Sequence, residues 1–305
     1  FDYFASRHVD VAVIETGLGG RLDSTNIITP RACVITNISY DHMAQLGHTL
    51  TSIAHEKAGI IKSGIPVVIG EAEGDVRRVF EEKAREESAP IYFAQESDVL
   101  TSCRPNENGQ WAIDSRDYGY LTYELGGLCQ EKNAATILCA LRILRQQGFA
   151  ITPEAVKEGF AHVTTLTGLQ GRWQKVGSLP HAYCDTGHNT GGFRYISQQL
   201  AGIKCRTLRI VFGMVNDKDI SGVLSMLPRE AVYYFTQASI PRAMPASVMR
   251  DKAAESGLKG DVYDSVPEAY RAALHDSCDE DFVFIGGSSF VVADLLAFLE
   301  ANKKN

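Results

Sequence analysis

Short apolar runs alternate with helical patterns along most of the 305 residues, and this alternation constrains the fold more than any other feature. Val9–Ile14, Ala32–Ile38 and Ile65–Ile69 read as buried strands, and the stretches from about Leu50 to Ile61 and from Asp75 to Glu87 read as helices. Strands joined through helices pair in parallel and are covered on both faces. Residues 100–125 break the rhythm: Trp111, Tyr118, Tyr120 and Tyr123 alternate with polar residues, which predicts small antiparallel strands. A long helix is expected over Gln130 to Gln147, and another opens at Thr152-Pro153-Glu154, a cap followed by proline in the first turn. After Leu169–Trp173 the alternation resumes. Strands are expected at Ala182–Asp185, Leu208–Gly213, Val232–Thr236 and Phe282–Gly286, with helices over 190–201, 219–227, 246–256, 267–276 and 289–301. A chain of this length exceeds one hydrophobic core, so two α/β domains are expected, over residues 1–171 and 177–305.

Charge and cysteines narrow the function classes. The formal charge is −7 and no run of five basic residues occurs, which argues against a nucleic-acid or anionic-membrane surface. Acidic clusters at Glu81-Glu82, Glu86-Glu87 and Asp279-Glu280-Asp281 read as solvated faces and loops. No apolar stretch is long enough to span a bilayer. The seven cysteines are widely spaced with no C-x-x-C, so neither a zinc site nor a redox pair is indicated, and a reduced, cytoplasmic setting is expected. Cys33, Cys139 and Cys184 lie in apolar runs, where a free thiol packs as a small hydrophobe.

Three segments carry chemistry. Glu15-Thr16-Gly17-Leu18-Gly19-Gly20-Arg21-Leu22-Asp23-Ser24-Thr25-Asn26 follows the first expected strand, which puts Glu15 at a carboxyl sheet edge, where open α/β sheets bind ligands. Its glycines permit tight turns, but the spacing is not that of a dinucleotide fingerprint. Asn37-Ile38-Ser39-Tyr40-Asp41-His42 ends the next strand. A carboxylate and an imidazole at that edge suit a divalent cation that also takes water and phosphate oxygens, such as Mg²⁺. His42 alone also reads as an ordinary loop histidine. In His55-Glu56-Lys57-Ala58-Gly59-Ile60, Lys57 reads either as an exposed helix lysine or as one turned towards that cation.

Together these segments resemble the folylpolyglutamate synthase/dihydrofolate synthase family of the Mur ligase superfamily. In that family Glu-x-Gly-Leu-Gly-Gly-Arg-Leu-Asp-x-Thr-Asn, an Asp-His segment and Glu-Lys-Ala-Gly-Ile occur in this order. The likeness continues through Asp185-Thr186-Gly187-His188-Asn189, Phe212-Gly213-Met214-Val215-Asn216-Asp217-Lys218-Asp219 and Gly287-Ser288-Ser289-Phe290. Thr16 and Thr190 depart from the family's usual Val and Pro. The resemblance implies a partial P-loop-type ATPase domain followed by a smaller Rossmann-like α/β domain. It implies Glu15 and His42 as Mg²⁺ ligands, Lys57 as a lysine carbamylated in relatives, and Asn133, Arg172 and Asp185 as ATP contacts. His188 would act beside Lys57 in catalysis, and Gly19, Arg21, Asp23 and Asn189 would line the substrate cleft.

The implied activity is ATP-dependent addition of L-glutamate to a folate or dihydropteroate carboxylate through an acyl phosphate, by a monomer. The small-molecule partners would be ATP, glutamate and the pterin acceptor. Alternatives are another Mur-type amino-acid ligase or a non-catalytic fragment. No Gly-x-x-x-x-Gly-Lys-Ser/Thr loop occurs in the chain. The family carries that loop before the Glu15 segment, so these residues are expected to start downstream of it and to be inactive without it.

Overall fold

The computed structural model describes residues 1–106, 109–216 and 219–303. In the first half, α1 (Asp2–Ser6) precedes β1 (Cys33–Ile35), α2 (Met43–Leu46), α3 (Leu50–Ala58), β2 (Val67–Ile69), α4 (Gly74–Glu86) and β3 (Ile91–Phe93). These strands form a parallel sheet in the order β1-β2-β3. Cys33, Ile35, Val67 and Ile69 pack with Ala54, Ala58 and Phe80 of α3 and α4 on one face. Val68, pointing the other way, joins the second core.

That second core lies under β4 (Leu100–Pro105), β5 (Trp111–Ser115) and β6 (Gly119–Tyr123), an antiparallel sheet where the alternating aromatics predict one. The helix α5 (Gln130–Gln146) covers it with α6 (Pro153–Ala161), and α7 (Val163–Thr167) follows. The Thr152 side chain accepts the Ala155 amide at the start of α6, with Pro153 in its first turn, as the cap sequence predicts.

The second half holds a six-stranded sheet. Its elements are β7 (Gln174–Ser178), β8 (His181–Asp185), α8 (Thr190–Ala201), β9 (Leu208–Phe212), α9 (Ile220–Leu224), β10 (Val232–Phe235), α10 (Ala246–Glu255), β11 (Lys259–Val262), α11 (Val266–His275), β12 (Phe282–Gly286) and α12 (Ser289–Lys303). The order is β11-β10-β9-β12-β8-β7, parallel except for the β7–β8 pair. Ile210, Phe212, Tyr233, Phe235 and Phe284 pack under α8, α9 and α10. Val211, Tyr234, Val283 and Ile285 face α11 and α12. Covering both faces explains why these strands are continuous apolar runs.

Three expectations need correction. Val9–Ile14 is not a strand: it runs unpaired, and Val13 is 92% exposed. Its apolar side chains meet no covering layer among the described residues, and a strand is stabilised by neighbours on its edges and faces rather than by its own composition. Glu15 therefore follows an extended segment, not a sheet strand. The helix expected to reach Ile61 ends at Ala58, with Gly59 as its C-cap lying against the backbone of Arg21. Asp281, read as part of a solvated acidic loop, is 3% exposed and ion-pairs with Arg209 at 3.0 Å. Cys33, Cys139 and Cys184 are buried free thiols as expected, and burial pushes the Cys184 thiol up to about 12. Among the described residues no helix is long and apolar enough to cross a membrane.

Candidate active site between the two sheets

The glycine-rich segment is a loop built on the end of α3. The Arg21 amide donates to the Glu56 carbonyl at 2.8 Å, and the Arg21 guanidinium pairs with the Glu56 carboxylate, also at 2.8 Å. A Cβ on Gly59 would lie 2.4 Å from Arg21 Cα, and one on Gly20 would lie 2.9 Å from the Glu56 carbonyl oxygen. Gly19 has φ +66° with Leu46 packed beside it, a left-handed conformation that side chains disfavour. Asn26 Nδ2 closes the joint by donating to the carbonyls of Gly59 at 3.0 Å and Arg21 at 3.2 Å. The Glu-Lys-Ala-Gly and Gly-Gly-Arg motifs are therefore two sides of one interlock.

Asp23 serves the same loop. Its carboxylate accepts from the amides of Leu18 (2.8 Å) and Thr25 (2.9 Å) and from the Thr25 hydroxyl (2.5 Å). Those donors, the Thr25 hydroxyl first, lower its carboxyl from 3.8 to about 2. Arg21 and Asp23, both expected to line the substrate cleft, are thus engaged in holding the loop.

The second cluster joins residues 147 and 148 positions apart. The chain leaving β1 turns at Asp41-His42, with His42 left-handed at φ +49° at the start of α2. The chain leaving β8 turns at Thr186–Asn189. Asp41 Oδ2 lies 3.2 Å from His188 Nε2 and accepts from Asn189 Nδ2 at 3.0 Å. His188 Nδ1 faces the Thr186 carbonyl at 3.1 Å. A non-glycine residue in the left-handed region costs energy that its surroundings must repay, and such residues gather at functional turns.

A third group surrounds the linker between the halves. Arg172 hydrogen-bonds the Thr186 hydroxyl, and Asp185 accepts the amides of Trp173 and Gly187, each at 2.8 Å. Burial pushes the Asp185 carboxyl up, against those two amides and the Arg172 charge, which pull it down. Burial, and then the nearby Asp185 carboxylate, raise the Cys129 thiol to about 11, with Arg172 opposing. The start of α5 is therefore close to Arg172 and Asp185. Asn133, in the first turns of α5, donates to Gln130 at 2.9 Å.

Of the expected residues, the structure brings His188 and Asn189 to Asp41 beside His42, and Arg172 to Asp185. It does not join Glu15 or Lys57 to either group: neither side chain hydrogen-bonds or ion-pairs with another described residue. Among the described residues no three His, Cys, Asp or Glu side chains cluster as a metal site. A carboxylate and an imidazole that the structure does bring together, Asp41 and His42 at 3.8 Å, suit a cation that takes its remaining ligands from water and phosphate oxygens. Asp217 and Lys218 of the Phe-Gly motif lie outside the described residues. Asp41 and Glu71 were missed as site residues. Glu71 lies two residues beyond β2, and Asp41 lies six residues beyond β1, both past the carboxyl end of a parallel strand, the rule that singled out Glu15.

Residues 2–119 match the Mur ligase middle domain, and residues 171–289 match the Mur ligase glutamate ligase domain. These matches, with the two α/β halves, define the class as a Mur-type ligase. The chain is 32% identical to the dihydrofolate synthase/folylpolyglutamate synthase of Escherichia coli, covering 98% of this chain and 67% of that protein. It is also 32% identical to the folylpolyglutamate synthase of Lacticaseibacillus casei, covering 93% and 66%. The structure of the bifunctional Yersinia pestis synthase complexed with AMPPNP and a Mn ion superposes with a TM-score of 0.81 at 31% identity, covering 98% of this chain and 68% of that one. This chain belongs to the folylpolyglutamate synthase/dihydrofolate synthase family and spans about two thirds of the length of these relatives.

Proposed function

We propose that the chain carries the nucleotide- and metal-facing part of an ATP-dependent ligase that joins L-glutamate to a folate or dihydropteroate carboxylate. The observation that carries this reading is Asp41 bridging to His188 and Asn189. It draws the Asp-His turn and the His-Asn turn, 147 residues apart in the chain, together beyond the carboxyl ends of β1 and β8. The division of labour follows the two halves, residues 1–171 and 177–305, working as a monomer in the cytoplasm.

In this reading Arg172 offsets phosphate charge, and Asp185 accepts hydrogen bonds from the nucleotide sugar. Asn133 contacts the nucleotide from the first turns of α5. Glu15 and His42 would hold Mg²⁺, and a divalent cation there offsets charge on phosphoryl oxygens. Lys57, carbamylated, would add negative charge towards the same cation. The acceptor carboxylate takes the γ-phosphoryl group of ATP, giving an acyl phosphate and ADP. The glutamate amine, oriented by His188, then attacks that carbonyl and phosphate leaves. Asn189, Gly19, Arg21 and Asp23 shape the cleft, the last two through the loop they fix.

The test is ADP and phosphate release by the full-length protein with pteroate or folate acceptors. Release is expected only when both an acceptor and glutamate are present. An absence of turnover with every such acceptor, or turnover with a non-pterin acceptor alone, overturns the reading.

A further inference from the structure

Helix α8 touches the first half of the molecule along one face. Gly191 lies against Ser39, where an added Cβ would stand 2.6 Å from the serine Cβ. Tyr195 donates its hydroxyl to Glu71, 2.9 and 3.1 Å from the two carboxylate oxygens. Gln199 Oε1 accepts the Leu128 amide at 3.0 Å. Positions 191, 195 and 199 are four apart, so they stack on one side of the helix. Their partners follow β1, follow β2 and precede α5, respectively.

The Glu71 contact is the strongest of the three. Glu71 is held by the sheet itself, because its amide continues the β1–β2 ladder by donating to the Thr36 carbonyl at 2.9 Å. Its carboxylate is 19% exposed and also pairs with Lys132 of α5 at 2.9 Å. The Tyr195 hydroxyl accepts in turn from Arg194 Nη2 at 3.1 Å. A hydrogen bond to a partly buried carboxylate is stronger than one between neutral groups, so this contact outweighs the other two.

We propose that Tyr195 and Glu71 are positioning residues. Their hydrogen bond seats α8 on the carboxyl edge of the first sheet and so holds His188 and Asn189 at Asp41. The coupling is mechanical. Asn189 is the cap of α8, with its Oδ1 accepting the Gly192 amide at 2.9 Å, so any shift of the helix carries Asn189 with it. That this placement serves the reaction rests on the ligase reading above; that it seats the helix does not.

The Leu128 amide reports seating directly, since its acceptor is on α8. Amide exchange followed by NMR on this chain is expected to be at least ~10-fold faster at Leu128 in Tyr195→Phe, the effect of losing one hydrogen bond to a charged group. Exchange in β9 stays unchanged, which separates unseating from unfolding. Glu71→Gln, which keeps an acceptor for the hydroxyl, gives a smaller increase, and the double variant gives no more than Tyr195→Phe. In the full-length protein Tyr195→Phe lowers kcat by a similar factor with the KM for ATP unchanged. Unchanged exchange at Leu128, multiplying effects in the double variant, or an unchanged kcat overturns the proposal. Where the unsubstituted protein shows no turnover at all, the ligase reading fails and the exchange result still decides the seating.

Discussion

The two parallel sheets treat similar apolar sequences in opposite ways. Phe282–Gly286 runs through the middle of the six-stranded sheet, hydrogen-bonded to β8 and β9, with every residue buried. Val9–Ile14 is as apolar, yet it lies largely exposed and unpaired, and Val34 of β1 is 40% exposed. The first sheet has strands of three residues, with β1 and β3 each paired on one side only; the second has helices over both faces. Composition proposes a strand, and cover on its edges and faces decides whether one forms. The second half packs one sheet between two helical layers, while the first half divides its packing between two cores and adds the loop interlocked with α3.

The largest test of this contrast is Phe284→Ala. Phe284 is fully buried and stacks on Trp173 at 5.7 Å between centroids, so its loss should destabilise the second half by about 3–5 kcal/mol in denaturant unfolding. Val13→Thr, at a 92% exposed position, should stay within about 0.5 kcal/mol. Similar costs for the two would break the comparison. A smaller effect is expected from Gly59→Ala. Its φ is ordinary, so the cost is the collision with Arg21 alone, about 1–3 kcal/mol, and amide exchange should rise around Arg21 and Glu56 rather than in the second sheet. The smallest is a pH effect at Asp23. Its carboxyl is lowered from 3.8 to about 2 in the folded loop, so its contribution is complete above about pH 4 and disappears as pH falls through about 2. Protection of the Leu18 and Thr25 amides should fall across that window and become flat in Asp23→Asn. A persisting slope in the variant would assign the effect to another group.

Much of the second half was legible because buried strands between two helical layers are continuous apolar runs bounded by turns. The helix over 190–201 and the strand Phe282–Gly286 match the structure residue for residue. The edge strands Gln174–Ser178 and Lys259–Val262 were not legible: they are mostly polar, carry glycines, and are defined by their neighbour's hydrogen bonds. At the site, reading the carboxyl ends of strands pointed to the His42 and Asp185–Asn189 turns, which the structure brings together through Asp41. It misjudged what Arg21 and Asp23 are occupied with: Glu56 reaches Arg21 from 35 residues away, and Asp23 is held by Leu18 and Thr25 of its own loop, contacts that depend on how the loop folds. Glu71 escaped notice because its partners Lys132 and Tyr195 lie 61 and 124 residues away.

Asn189 shows how narrow the choice of side chain becomes when one group has two duties. For capping alone, Asp or Ser would serve α8 about as well as Asn. The other end of the same amide, however, donates to Asp41 at 3.0 Å. Aspartate would bring a second carboxylate against the first, and serine has a single short hydroxyl that cannot span both partners. Of the good caps, only an amide is a hook with opposite polarity at its two tips, so the residue that starts the helix also dictates which way round it can be fastened.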